Sequence, residues 1–222
     1  MSPATITTPP APGAAKPLPH RCHTLTVPLY RYADLQGRAK DRAREALTQG
    51  PMDHESTTSD AKTIAALMGW EIDRIRWSGF GCQGDGASFT GVMQYAKGAV
   101  AAVKEYAPED ETLHGIAQAW YDLQRKHFFK LRCRVIGNSS RHSHPFSVDI
   151  SCTIGHPDNC HYPEITAQRG AADIARQFMQ WIYRQLEAEY EHEISDANLA
   201  EICEANDYEF TEDGRLFNAR GV

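Results

Sequence analysis

From Phe146 to Ile154 the chain reads FSVDISCTI, nine residues that alternate without a break. Phe146, Val148, Ile150, Cys152 and Ile154 fall on one side, and Ser147, Asp149, Ser151 and Thr153 on the other. A period of two is the repeat of a strand, and a single apolar side belongs to a strand covered on one face and wet on the other. Such a strand needs edge partners for its backbone groups and a lid for its apolar side. Three further stretches supply partners. Ile75 and Trp77 alternate with Arg74, Arg76 and Ser78; ASFTGVMQY places Phe89, Met93 and Tyr95 on one side; Leu131, Cys133 and Val135 alternate with Arg132 and Arg134. Paired antiparallel, these strands would set Arg132 or Arg134 across from Asp149 on the solvent face.

The lid comes from segments with a helical period. Leu35, Ala39, Ala43 and Leu47 recur at i+4 before Gly50-Pro51, and a second helix is expected over Thr58–Met68, closed by Gly69. Leu113, Ile116, Trp120, Leu123 and His127 mark a third. Ile174, Phe178, Ile182, Leu186 and Tyr190 mark the longest, over Arg169–His192. Ser195-Asp196 caps a shorter one, and a hairpin closes around Asp213-Gly214. GHPDNCHYPEI, from Gly155, has the Pro, Gly and Asn content of a loop. The expected fold is α+β: a mostly antiparallel sheet of four or more strands with helices packed on one face. Residues 1–21, rich in Pro, Ala and Thr, read as a disordered tail, and 22–222 as a single domain with an acidic C-terminal helical segment.

With 222 residues, 41% of them hydrophobic, the chain can build one substantial core. No apolar run approaches the roughly 18 residues of a membrane helix, and the start lacks the basic and apolar regions of a secretory signal. Six Cys without CxxC spacing then read as reduced thiols in a cytoplasm, several of them small core residues. The net charge of −6 is unevenly placed: eleven acids and no Lys or Arg lie between Glu187 and Asp213. Bulk acidity argues against direct nucleic-acid binding. The acidic end suits mimicry of DNA phosphates or a basic protein partner, with Glu187, Glu191, Asp196, Glu201 and Glu204 as candidate contacts, or it is a solvated helix face.

The other candidate site is SGFGCQGDGASFTG, Ser78–Gly91. Asp85-Gly86 is a two-residue turn signal. Cys82, Gln83, Asp85 and Ser88 would line a ligand site if backbone N–H groups freed by the glycines received an anion. The same glycines read more simply as those of a plain β-hairpin. Neither a P-loop nor a strand–GxGxxG–helix context is present, and Cys82 has no base beside it in sequence. His142, His144, Cys152, His156, Cys160 and His161 are the possible zinc ligands, but their spacing forms no knuckle, so no metal or cofactor is expected. Trp70, Trp77, Trp120 and Trp181 read as core.

YRYADLQGRAKDRAREAL, WSGFGCQGDGASFTG, LQRKHFF and FMQWIYRQLEAEYEHEISDANLAEICEANDYEFTEDGRLF together resemble a group of phage- and prophage-borne proteins often labelled antitoxin of a toxin–antitoxin stability system. The resemblance covers nearly all of the chain after the tail. It implies a mobile-element origin, a bacterial cytoplasm, and a non-enzymatic protein that binds and neutralises a toxin or a host defence component. The alternative is a small-ligand or nucleotide-binding protein, or an enzyme, using residues 78–91.

Overall fold

The computed structural model describes residues 26–50, 52–137, 143–156 and 159–217. The tail, Cys22 and His142 lie outside them. In chain order the elements are α1 (Gly37–Thr48), α2 (Glu55–Leu67), β1 (Trp70–Ser78), β2 (Gly86–Met93), α3 (Ala99–Tyr106), α4 (Glu111–Lys126), β3 (Leu131–Gly137), β4 (Val148–His156), β5 (Asn159–His161), α5 (Ile165–Glu193) and α6 (Asp196–Ala205). The chain divides into two compact units, residues 53–190 and residues 1–52 with 191–222.

The unit of residues 53–190 is an α+β fold. Its sheet runs β1-β2-β3-β4-β5 in space as in sequence, with every neighbouring pair antiparallel. The alternation seen in sequence sorts its two faces. Phe89, Met93, Leu131, Cys133, Val135, Val148 and Cys152 are buried, while Arg74, Arg76, Arg132 and Arg134 stand exposed on the other side. The lid over the buried face is led by α5. Its i+4 stripe buries Ile174, Phe178, Ile182 and Leu186, and Ala171, Ala175 and Met179 beside the stripe widen the apolar band. Phe178 meets Trp70 at 5.3 Å between ring centroids and Phe89 at 6.1 Å, and Trp120 meets Trp70 edge-on at 5.6 Å. The α4 helix opens on an N-cap: Asp110 Oδ1 accepts the Leu113 N–H at 2.9 Å, and its other oxygen accepts the Trp181 indole N–H at 2.7 Å. Among the described residues no helix is long and apolar enough to cross a membrane.

Several expectations need correction. The register of β3 and β4 sets Asp149 opposite Ile136, while Arg132 and Arg134 face Thr153 and Ser151, so the proposed arginine–aspartate pair does not form. Cys133 and Cys152, directly opposed on those strands with Cα atoms 4.0 Å apart, are joined as a disulfide; the spacing of the cysteines along the chain carried no hint of that. Cys82, Cys160 and Cys203 are thiols. Part of the loop expected from Gly155 is strand β5, paired to the end of β4. Trp77 is 38% exposed rather than core, and Phe146, ahead of β4, is 69% exposed. The α3 helix has little periodic signal because only Ala99 and Val103 of its eight residues are buried.

In the unit of residues 1–52 and 191–222, the expected stripe of α1 packs as read: Leu35 and Ala43 are buried, and Ala39 and Leu47 close on a core of Tyr32, Leu199, Cys203 and Phe210. Ser195 Oγ accepts the Asn198 N–H at 3.3 Å and caps α6. The Phe210–Leu216 bridge closes the last hairpin around Gly214, and Tyr30 pairs with Phe210 from its other side.

Asp196 ties these pieces together. Its carboxylate is held by Arg44, by the Tyr32 hydroxyl at 2.9 Å and by Lys40 at 3.3 Å. The hydrogen bond from Arg44, then that from Tyr32, outweighs desolvation and brings its pKa down to about 2, from 3.8. A depressed carboxyl pKa stabilises the fold fully above the unfolded value and loses that contribution as pH falls through the folded one. Asp196→Asn should therefore flatten the dependence of the thermal midpoint on pH between 3.8 and about 2. Differential scanning calorimetry across that window checks it.

Candidate functional site

The glycine-rich stretch is a hairpin, but not one turned by Asp85-Gly86. Ser78 pairs with Gly86, which opens β2, and residues 79–85 form the connection. Asp85 organises it from within. Its Oδ2 accepts the Gly81 N–H at 3.0 Å and the Cys82 N–H at 2.7 Å, and its own N–H donates to the Cys82 carbonyl at 3.1 Å. This is an Asx-type closure of the loop. A Cβ on Gly86 would press on His144 and Pro145 at 3.2 Å, so the glycine there serves close packing rather than positive φ. Two of the N–H groups that an incoming anion would use, those of Gly81 and Cys82, are taken by Asp85. Cys82 and Gln83 project into solvent, and Ser88 is buried on β2 at 5% exposure, so the four candidates do not line one site.

The loop is anchored by Phe80. Its ring stacks on Tyr190 at 4.9 Å and on Tyr183 at 5.7 Å, and the Tyr183 hydroxyl donates to the Gly79 carbonyl at 3.2 Å. Burial pushes the Tyr183 hydroxyl up in pKa, and the nearby Glu187, Asp85 and Cys82 add to the effect. Glu187, one turn after Tyr183 on α5, thus lies near enough to act on the Tyr183 hydroxyl, as do Asp85 and Cys82 from the glycine-rich stretch.

One polar cluster has no signal in the sequence. His54, 6% exposed just ahead of α2, sets its Nδ1 at 2.7 Å from Glu189 Oε2. Thr57 and Ser56 hydroxyls donate to the same carboxylate at 2.8 and 3.0 Å. The ring of His54 packs edge-on against Trp77 and Phe80 at 5.6 and 5.9 Å. Burial opposes ionisation of Glu189, but the hydrogen bonds from His54, Thr57 and Ser56 prevail and hold its carboxyl below the usual range. Histidine and glutamate are 135 positions apart, and only the packing of α2 beside α5 joins them. The nearest sequence cue is the hydroxyl-rich start of α2. A carboxylate–imidazole pair can support acid–base chemistry when a reacting group meets the other ring nitrogen. Among the described residues no nucleophile hydrogen-bonds His54 Nε2; what the contacts show is a clamp that ties the start of α2 to Glu189 on α5.

Of the acidic candidates, Asp196 is occupied internally and Glu187 is half-buried, while Glu191, Glu201 and Glu204 are exposed. Among the zinc candidates, His144 Nδ1 accepts the Phe146 N–H at 3.2 Å and Cys152 is in the disulfide. Among the described residues no group of three or more His, Cys, Asp or Glu is placed to hold a metal ion.

A family model spans these elements, from His54 at the start of α2 to Asp196 at the start of α6. The chain belongs to DUF8835, a domain of unknown function. The DUF8835 match covers residues 54–196 and so takes in the hairpin, the sheet, the His54–Glu189 clamp and the whole of α5. No curated protein and no solved structure matches the chain.

If Asp85 is the keystone of the DUF8835 hairpin and Gln83 a bystander, the two should separate on substitution. Asp85→Ala strands two N–H groups and is expected to cost about 1–2 kcal/mol, while Gln83→Ala should stay within about 0.5 kcal/mol of wild type. Urea denaturation measures both.

Proposed function

We propose that this protein works by binding: its acidic C-terminal end docks on a basic protein, and by the resemblance to phage-borne proteins that partner is a bacterial toxin or a host defence component. One observation carries the reading. Glu191, Glu201, Glu204, Asp207 and Glu209 are exposed and, among the described residues, form no ion pair. Ile202 and Tyr208 stand exposed among them at 40% and 36%. Exposed apolar side chains set among unpaired acidic ones match the composition of a protein–protein interface, and the charge favours encounter with a basic surface.

The test is charge reversal. Glu201→Lys with Glu204→Lys should abolish capture of a basic protein that the wild type retains from a host lysate, with the far-UV circular dichroism spectrum unchanged. Equal capture by the variant and the wild type would sink the reading. Sensitivity of capture to salt, steep over the range where a surface ion pair is screened, is the second expected sign.

A further inference from the structure

We infer that the cavity at the C-terminal end of α6 receives a guanidinium-tipped side chain of the protein partner; this rests on the binding reading above and names the group that the acidic end recognises.

The cavity, about 490 Å³, lies within the unit of residues 1–52 and 191–222. Tyr32 and Cys203, both buried, and Ala200 line its inner side, and exposed Glu204, Asp207 and Glu209 line its outer side. Its volume falls in the range of ordinary ligand sites. Among the described residues on its lining, Arg31 is the one cation, against three carboxylates. An apolar inner surface suits an aliphatic stem. A carboxylate rim beside the aromatic wall of Tyr208 suits a planar cation at its tip.

The end of α6 is built against its own stability, in the sense a cation would relieve. A helix C-terminus carries the negative end of the macrodipole and is ordinarily flanked by Lys or Arg. The last turn of α6 has no basic residue, and Glu204, Asp207 and Glu209 crowd the same end. Two hydrogen bonds close the helix, Tyr208 N–H to Cys203 O at 2.8 Å and Asp207 N–H to Glu204 O at 3.2 Å. That is the pattern in which the residue just past the cap turns left-handed and is usually glycine. Here it is Asp207, at φ +51°. A left-handed aspartate adds backbone strain and a like charge at one point, and a bound cation is the arrangement that offsets the charge.

Asp207→Gly separates stability from binding. It should raise the thermal midpoint by about 2–4 °C, because glycine relaxes the turn and a carboxylate leaves the dipole's negative end. The probe is an acetylated, amidated Ala-Ala-Arg-Ala-Ala peptide, titrated into the purified full chain and followed by amide chemical shifts. Saturable shifts should centre on residues 31–33 and 200–209. The dissociation constant should rise at least five-fold in Asp207→Gly and in Glu204→Gln, and the same peptide with citrulline in place of arginine should give no saturable shift. Binding unchanged in both variants, equal binding of the citrulline peptide, or shifts elsewhere overturns the proposal. Agmatine, the same guanidinium without a peptide, binding ten-fold tighter than the peptide also overturns it and makes the occupant a free small cation. The titration needs no partner, so its failure is separable: peptide binding without a captured protein sinks the partner reading alone, and a captured protein without peptide binding sinks the cavity alone.

Discussion

Phe178→Ala should lower the stability of the unit of residues 53–190 by about 3–5 kcal/mol, enough to bring its thermal midpoint down by roughly 8–15 °C. Phe178 is fully buried where α5 lies against the sheet. Its ring stacks on Trp181 at 5.5 Å, meets Trp70 edge-on at 5.3 Å and reaches Phe89 at 6.1 Å. Truncation removes the transfer free energy of a phenyl ring and also leaves a void whose walls are other large rings. Trp70 and Trp120, already wedged at 5.6 Å, cannot swing into that void without giving up their own packing. Phe178→Leu, which keeps most of the volume, should cost less than half as much. Urea denaturation followed by tryptophan fluorescence reads both. A Phe178→Ala loss below 1 kcal/mol would mean that this cluster is not the centre of the core.

The second large effect belongs to the backbone. Gly91 on β2 sits at φ +152°, opposite the point where β1 slips register: Ile72 pairs with Gly91, Arg74 with Thr90, and Asp73 is left over as a bulge. A Cβ at Gly91 would run into the Glu71 carbonyl and come within 3.0 Å of the Ile72 Cα, both of them main chain inside a ladder. Main chain cannot step aside as a side chain tip can. Gly91→Ala should therefore cost about 3 kcal/mol or more, or prevent folding outright. Gly115 is the control, since it is exposed on α4 and a Cβ there meets nothing within 4 Å. Gly115→Ala should stabilise by about 0.5–1 kcal/mol. If the two substitutions behaved alike under thermal unfolding, the bulge would not be what holds β1 against β2.

Much of this architecture was readable along the chain. The alternation at Leu131–Val135 and through Val148–Ile154 marks strands, and the i+4 stripes of α1 and α5 mark helices, because both are repeats set by local backbone geometry. The acid block beyond Glu187 was likewise plain, and so was the hairpin at Ser78–Gly91.

What the amino-acid order determined by itself was which segments are strands and helices, which side of each is apolar, and where charge accumulates. Only the tertiary structure decided that Cys133 meets Cys152, that Asp149 misses its arginine, that Asp85 closes its own loop, that His54 finds Glu189, and that Asp196 is spent on Arg44 while Glu201 and Glu204 stay exposed. The reason is one of range. A repeat is fixed by neighbours three or four positions apart, whereas a pairing across 135 positions depends on sheet register and helix docking, which no local spacing records.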